Sequence, residues 1–397
     1  MVGDEKGLAP SARPEGRGCI VVAAGGTGGH LFPAFALAEE LQRRGYAVDL
    51  MTDMRGDRYG TGFPARAIHK VHAATLKGKS PIAVATTGVT LARGVREAYT
   101  LLGRIKPLVV VGFGGYPSFP PLLAARLRKI PSALHEQNAV MGRANRMLAR
   151  RVTAIAASFE GTKALEPAAQ AITTVTGNPV RQAVLDWSRQ PYVAPDASGP
   201  IRLLVFGGSQ GARYFSESVP PALALLPDDV RQRLSIVQQC RKEDLAPVRE
   251  AYGRARIAAS LAAFFPNLPE IMASSHLVIA RAGASSVAEL AVMGRPSMLV
   301  PLPHALDNDQ LRNATRLAES GGCWCIEQKA LTAERLAGEL ERLFREPGQL
   351  SVVAAGARRA GRPDAVQRLA LLVEGLAGRA LSDRPKSDRS RAGTLQR

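Results

Sequence analysis

The chain of 397 residues predicts an α/β protein of two parallel-sheet domains that face one cleft. Three observations carry this expectation. Apolar strand-like runs alternate with helical patterns from residue 19 to about 180. A break rich in proline and small polar residues, RQPYVAPDASGP at 189–200, then interrupts the pattern. After it the alternation restarts with the same opening unit of strand, glycine turn and helix.

In the first half, CIVVAA at 19–24 reads as a strand buried on both faces, because its apolar residues follow one another without polar alternation. The stretch VVAAGGTGGHLFPA then sets four glycines ahead of a helix. Leu31, Ala34, Leu37, Ala38 and Leu41 recur at helical spacing and Pro33 is tolerated in a first turn, so a helix is expected over 32–44. Further strands are expected at 47–52, 108–111, 132–135 and 153–157, and further helices at 81–105, 118–129 and 141–150. Ser80-Pro81 supplies the cap and first position of the long helix.

In the second half, IRLLVFGGSQGARYF repeats the opening arrangement, with a strand at 202–206, a turn at 207–211 and a helix. Downstream come a strand at 277–280, a turn at Gly283, a helix at 286–293 and a strand at 297–301. Ser286-Val287-Ala288-Glu289 has the spacing of a capping box, in which the glutamate holds the helix start. The halves are Rossmann-like and span 18–181 and 201–364, joined by a linker region at 182–200. Residues 1–17 read as a disordered extension and 381–397 as a basic disordered tail.

Composition narrows the function. At 46% hydrophobic and 22% charged the chain is globular. Its four cysteines form no C-x-x-C pair, which fits a reducing compartment, and Cys323-x-Cys325 reads as buried small side chains. No apolar stretch reaches the ~18–20 residues that span a bilayer. The N-terminus lacks the apolar core of a signal peptide, so a cytoplasmic protein is expected. A formal net charge of +18 points to anionic partners: nucleic acid, a membrane surface or anionic substrates. No helix-turn-helix, zinc or aromatic RNA-binding motif supports nucleic acid, so none is expected as a partner.

A glycine turn at a helix start lets backbone N–H groups approach an anion, so a phosphate-bearing ligand is the first expectation; a tight βα turn without a ligand explains the glycines equally. In a dinucleotide fingerprint a third glycine would stand where Leu31 does; Asp53 could mimic the ribose-binding acid and keeps an oxidoreductase open. His30 directly follows the glycines, where an imidazole either caps backbone or does chemistry. His135 precedes Glu136-Gln137-Asn138 at a strand end, where ligand-binding residues collect; His69, His72 and His276 read as structural or solvated. Asp307-x-Asp309 spells a D-x-D pattern that can hold a metal, but one chance match is expected in a chain this long, and no metal is expected.

Taken together, GGTGGHLFPAFALAEEL, GFGGYPSFPPLLAA, PSALHEQNAVMGRANRMLA, TGNPVR, VFGGSQGAR, RAGASSVAELAVMGRPSMLVPLPHA and DNDQLRNA resemble the MurG family of bacterial peptidoglycan glycosyltransferases, in family order over about 19–330. The resemblance implies the two-domain glycosyltransferase fold known as GT-B, with the final helix, about 365–378, crossing back onto the first domain. It implies transfer of N-acetylglucosamine from UDP-N-acetylglucosamine to an undecaprenyl-diphosphate-linked muramyl-pentapeptide, without a cofactor. It also implies a peripheral position on the cytoplasmic face of the inner membrane, and other cell-wall synthesis proteins as partners. A relative acting on a different lipid acceptor stays open.

Residue by residue, the resemblance implies donor contacts from Thr27, Gly28, Gly29, Asn138, Arg181, Ser209, Phe265, Ala284, Ser285, Ser286, Val287, Ala288, Glu289 and Gln310, with Glu289 on the ribose. Gly114, Gly115 and Tyr116 match the loop for the acceptor's diphosphate, and His30 is the candidate base. Phe265 stands where many relatives carry isoleucine, FFPNLPEI lacks the usual acidic pair, and Asp309 replaces a frequent His or Gln. For the membrane surface, residues 76–106 mix apolar residues with Lys77, Lys79, Arg93 and Arg96. If this segment is helical, Ile82, Ala85, Val89, Ala92, Tyr99 and Leu102 face inward and Val84 and Leu91 meet lipid; an ordinary amphipathic helix with a solvated basic face is the other reading.

Overall fold

The structure is a computed structural model that describes residues 17–25, 28–53, 62–74, 80–196, 198–208, 213–303 and 305–382. The first domain runs β1 (Cys19–Ala23), α1 (Gly28–Arg43), β2 (Ala47–Thr52), β3 (Ala67–Lys70), α2 (Pro81–Ile105), β4 (Val109–Gly112), α3 (Phe119–Leu127), β5 (Ser132–Glu136), α4 (Arg143–Leu148), β6 (Ala154–Ala157), α5 (Pro167–Gln170), β7 (Thr173–Val175) and α6 (Gln182–Trp187). Its seven strands pair in parallel in the order β3-β2-β1-β4-β5-β6-β7.

The second domain runs β8 (Ile201–Phe206), α7 (Arg213–Ala224), α8 (Asp228–Arg231), β9 (Leu234–Gln239), α9 (Leu245–Arg254), β10 (Ala258–Ala262), α10 (Leu268–Ser274), β11 (Leu277–Ala280), α11 (Ala284–Met293), β12 (Ser297–Leu299), α12 (Asp309–Glu319), β13 (Trp324–Cys325), α13 (Ala333–Arg345), α14 (Gly348–Ala360) and α15 (Ala365–Ser382). Six parallel strands follow the order β10-β9-β8-β11-β12-β13. Two Rossmann-like α/β domains thus form the GT-B arrangement.

Each sheet has a core on both faces, which is why the strands read as unbroken apolar runs. In β1, Ile20 and Val22 enter one core with Leu37, Val373 and Leu376, while Val21 and Ala23 enter the other with Leu102 and Leu122. In β8, Leu203 and Val205 pack with Phe215 and Phe344, while Leu204 and Phe206 pack with Leu290 and Met293. Helix α15 leaves the second domain and buries Leu369, Val373 and Leu376 in the first, each contributing roughly 1.5–3 kcal/mol. Arg44 clamps it there, reaching Glu374 at 2.6 Å while holding Glu40 at 2.7 Å. Arg17, inside the expected extension, also pairs with Glu374 at 3.1 Å.

The structure changes several expectations. Helix α1 begins at Gly28, so Gly28 and Gly29 join His30 in its first turn instead of preceding it. The linker region contains α6. Strands β3, β7, β9, β10 and β13 escape the sequence reading: β3 and β10 are largely exposed, β7 and β13 are only three and two residues long, and β9 alternates buried positions with less buried ones. Helix α2 matches its expected bounds but not its expected faces. Among its described side chains Gly94, Ala98 and Leu102 are buried, whereas Ala85, Val89 and Ala92 are exposed, Val89 at 72%. Gly94 sets this rotation: a Cβ there would come within 1.8 Å of the His72 carbonyl oxygen, so the helix touches its neighbours along the glycine's edge. Leu91 is half-buried instead of lipid-facing, and Tyr99 carries the Arg128 guanidinium 3.8 Å from its ring centre. Nothing is described of Lys77 or Lys79, nor of the Val84 side chain. Among the described residues, no helix is long and apolar enough to cross a membrane.

Candidate functional site

In each sheet the strand order reverses between two neighbours that are not consecutive in the chain, β1 with β4 and β8 with β11. Open α/β sheets bind ligands beyond the carboxyl ends of strands at such a point. Glycine loops follow all four strands: Gly25 after β1, Gly114-Gly115 after β4, Gly207-Gly208 after β8 and Gly283 after β11. The two domains meet at these ends, where Ser285 Oγ in α11 donates to Gly29 O in α1 at 3.3 Å.

The loops of the first domain interlock. A Cβ on Gly25 would stand 2.9 Å from Thr52 Oγ1 and 3.0 Å from Pro117. Gly114 and Gly115 have φ of +83° and +70°, a left-handed conformation that suits glycine. Ser118 Oγ lies 2.8 Å from both Ala23 O and Gly114 O, tying the second loop to the end of β1. His30 lies against Gly115, and a Cβ there would meet its ring at 3.3 Å. The second glycine loop and His30 therefore share one wall.

His30 Nδ1 is 3.0 Å from Gln137 Oε1. Behind it, His135 is fully buried and its Nε2 donates to Gly177 O at 3.1 Å; burial pushes its pKa down to about 4. Glu136 is buried too, and burial pushes its carboxyl up. Its oxygens accept from Asn138 N and Gly142 N at 2.9 Å and from Asn145 Nδ2 at 2.7 Å, which fixes the loop after β5.

Across the cleft, Arg181 donates to Glu289 Oε1 from Nη2 at 2.9 Å and Nε at 3.2 Å, with its guanidinium 4.4 Å from the Phe32 ring centre. Glu289 is 5% exposed, and burial raises its carboxyl pKa against the lowering effect of Arg181. The capping-box expectation fails here. Helix α11 starts at Ala284 behind Gly283, so Ser286 lies inside its first turn and Glu289 reaches sideways to Arg181. The N–H groups of Ala284, Ser285 and Ser286 point out of that first turn with no intrahelical partner, a setting for a diphosphate. Val287 N is already bonded to Gly283 O at 3.0 Å. The Val287 and Ala288 side chains line a separate seam cavity of about 440 Å³, with Asn178, Arg316 and Arg362.

Asn138 and Gln310 also reach this region. Asn138 Oδ1 accepts from Asn313 Nδ2 at 3.0 Å, and Gln310 Oε1 accepts from Leu302 N at 3.0 Å. Phe265 is half-buried beside the exposed Phe264. Thr27 and Ser209 lie outside the described residues. The D-x-D pair is divided: Asp307 bonds Arg146 of the first domain, while Asp309 Oδ1 accepts from Gln310 N at 2.7 Å. Among the described residues no group of three His, Cys, Asp or Glu is placed to hold a metal. Among the described residues, the other histidines are engaged in structure: His69 with Asp49 and His72 with Glu97, both at 2.9 Å, and His276 Nδ1 with Arg202 N at 3.1 Å.

Sequence reading missed Asn313, which is fully buried and bridges the domains; its Oδ1 accepts from Ala139 N at 2.8 Å and its Nδ2 donates to Ala282 O at 3.2 Å. No periodicity marks such a residue. Gln137 was visible only as part of HEQN at a strand end.

The glycosyltransferase family 28 N-terminal domain matches residues 20–157 and its C-terminal domain matches 202–369. The chain is 53% identical over 363 residues, 91% of this chain and 96% of the relative, to the UDP-N-acetylglucosamine–N-acetylmuramyl-(pentapeptide) pyrophosphoryl-undecaprenol N-acetylglucosamine transferase of Mesorhizobium japonicum. It is 50% identical to the protein of the same name from Rhizobium meliloti, covering 94% of this chain and all of that one. The crystal structure of Acinetobacter baumannii MurG superposes with a TM-score of 0.72 at 29% identity, covering 90% of this chain and 99% of that one.

Proposed function

The chain belongs to glycosyltransferase family 28, and from that premise we propose that it transfers N-acetylglucosamine from UDP-N-acetylglucosamine to the C4 hydroxyl of undecaprenyl-diphosphate-linked N-acetylmuramyl-pentapeptide. The observation that carries this reading is the identity of half or more with transferases of that name over nine-tenths of the chain. The geometry supports it with an imidazole beside one glycine loop and a helix start with free N–H groups across the cleft.

The reaction is an inverting displacement. The acceptor hydroxyl attacks the anomeric carbon of the donor sugar, its proton passes to His30, and UDP leaves from the opposite face with the bonding pair. His30 suits this task because its imidazole carries a nitrogen lone pair and its ring lies against the glycine loop at Gly115. The first turn of α11 offers N–H groups to the departing diphosphate, where developing charge is stabilised without reorganisation. Gly114, Gly115 and Tyr116 take the acceptor's diphosphate, and Glu289 takes the donor ribose. Incubation with labelled UDP-N-acetylglucosamine and the lipid-linked muramyl acceptor is expected to move label into the lipid fraction with one UDP released per transfer. Equal transfer to a lipid diphosphate carrying no muramyl-pentapeptide would overturn the assignment of acceptor.

We also propose that the enzyme docks peripherally on the cytoplasmic face of the inner membrane, since its acceptor carries a membrane-anchored lipid. The exposed Ala85, Val89 and Ala92 of α2 supply apolar contact ahead of the half-buried Leu91, flanked by Arg93 and Arg96. Arg93 is half committed to Glu97 at 3.0 Å, so Lys77, Lys79 and Arg96 carry much of the attraction. Anionic headgroups contribute about 1 kcal/mol per nearby basic side chain, and salt screens them. Binding to vesicles containing anionic lipid is expected to be largely lost at high salt and to weaken when Lys77, Lys79, Arg93 and Arg96 become Ser, with UDP affinity unchanged. Sedimentation showing equal binding to neutral vesicles would place the docking surface elsewhere.

A further inference from the structure

Gln137 sits just beyond the carboxyl end of β5 and is 1% exposed. Its Nε2 stands 2.9 Å from Phe113 O and 3.1 Å from His135 O. Carbonyl oxygens only accept, so this end of the amide is the NH₂ group. The other end, Oε1, is then fixed toward His30 Nδ1 at 3.0 Å. An amide oxygen only accepts, so the hydrogen bond requires the proton on Nδ1. With the proton on Nε2, two lone pairs would face each other across that distance.

His135 holds the amide from behind. Its Nε2 faces Gly177 O at 3.1 Å and must carry a proton there, while its Nδ1 lies 3.0 Å from Gln137 Nε2. Burial keeps this ring neutral near pH 7, so its Nδ1 is a bare acceptor and cannot turn the amide round by donating to it. A chain of fixed donors and acceptors thus runs from the Gly177 carbonyl through His135 and Gln137 to His30.

We infer that Gln137 is a positioning residue that holds His30 in its Nδ1–H tautomer, leaving the Nε2 lone pair toward the acceptor loop at Gly115. The ring edge concerned lies against that loop: a Cβ built on Gly115 would stand 3.3 Å from His30 Cδ2 and 3.4 Å from Nε2. This tautomer is the one a base acting through Nε2 needs, since a protonated Nε2 has no pair to accept the hydroxyl proton. The catalytic half of the inference rests on the reading of His30 as the base; the tautomer itself does not.

The test is a two-bond ¹H–¹⁵N correlation spectrum of the whole ligand-free protein with ¹⁵N-labelled histidine, in which protonated and bare ring nitrogens resonate far apart. His30→Ala identifies the His30 signals. The expected result is a protonated Nδ1 and a bare Nε2 in the parent protein. Gln137→Met, similar in length but without an acceptor, is expected to move the ring toward the Nε2–H form and to lower kcat about ten-fold with donor KM unchanged. Gln137→Glu, with the buried oxygen protonated to donate where Nε2 does, keeps an acceptor for Nδ1–H and is expected to retain the tautomer and more of kcat than Gln137→Met. A protonated Nε2 in the parent protein, or a Gln137→Met variant with unaltered tautomer and kcat, overturns the inference. Should Gln137→Met not fold, the parent spectrum and Gln137→Glu decide it. Should His30→Ala keep more than half of kcat, the base assignment alone fails, and the spectrum still judges Gln137.

Discussion

His30→Ala is expected to lower kcat by about 10²–10⁴-fold while UDP binding stays near that of the parent chain. The loss corresponds to roughly 2.7–5.5 kcal/mol of transition-state stabilisation. Its size follows from the difficulty of the step: a sugar hydroxyl is a poor nucleophile until its proton has somewhere to go. Its confinement to kcat follows from geometry. His30 lies against Gly115 on the acceptor side, whereas Glu289, Arg181 and the first turn of α11 form the opposite wall. The substitution removes a half-buried ring from the first turn of α1 without touching the cores of β1, so the melting temperature is expected to change little. Steady-state kinetics with saturating acceptor read the effect directly. A variant with more than half the parent kcat takes His30 out of the chemistry and leaves it as a residue that only orients the acceptor.

Glu289→Ala is expected to weaken donor and UDP affinity about 10- to 100-fold, because a charge-assisted hydrogen bond contributes roughly 1.5–3 kcal/mol. The two bonds from Arg181 go to Oε1, which leaves Oε2 for a ribose hydroxyl. The arginine thus favours the ionised carboxylate against burial and orients it, and Glu289→Gln, which keeps an acceptor but not the charge, is expected to lose less. Sign matters for the pH dependence. Burial raises the Glu289 pKa, and the ionised form is the one that accepts a hydroxyl. Donor affinity is therefore expected to decline on acidification at a pH above the ordinary range of a glutamate, and Glu289→Gln is expected to flatten that decline. Isothermal titration with UDP across pH measures both. Unchanged affinity accompanied by a lower melting temperature would instead give Glu289 a purely structural part in joining the domains through Arg181.

The sequence by itself determined the fold class and the position of the cleft. A strand buried on both faces cannot alternate, so CIVVAA and IRLLVF declared themselves, and the glycines after them could only mark turns at the carboxyl ends of parallel strands. Long helices with local caps were equally legible: Ser80 accepts from Ala83 N at the start of α2 at 3.2 Å. These signals are local, carried by neighbours within a turn or two of chain. What the tertiary structure decided was which side chains answer one another. Glu289 read as a cap for its own helix and proved to be the partner of Arg181, 108 positions away. His30 meets Gln137 across 107 positions, and Asn313 meets Ala139 across 174. Val89 of α2 read as inward and stands exposed, because the close approach at Gly94 sets the helix's rotation. Edge strands such as β10 carry little apolar pattern and exist because β9 offers them a free row of hydrogen bonds. Periodicity records whether a residue is buried, but a hydrogen bond forms only where packing brings a donor and an acceptor within about 3 Å, and that distance is set by the whole fold.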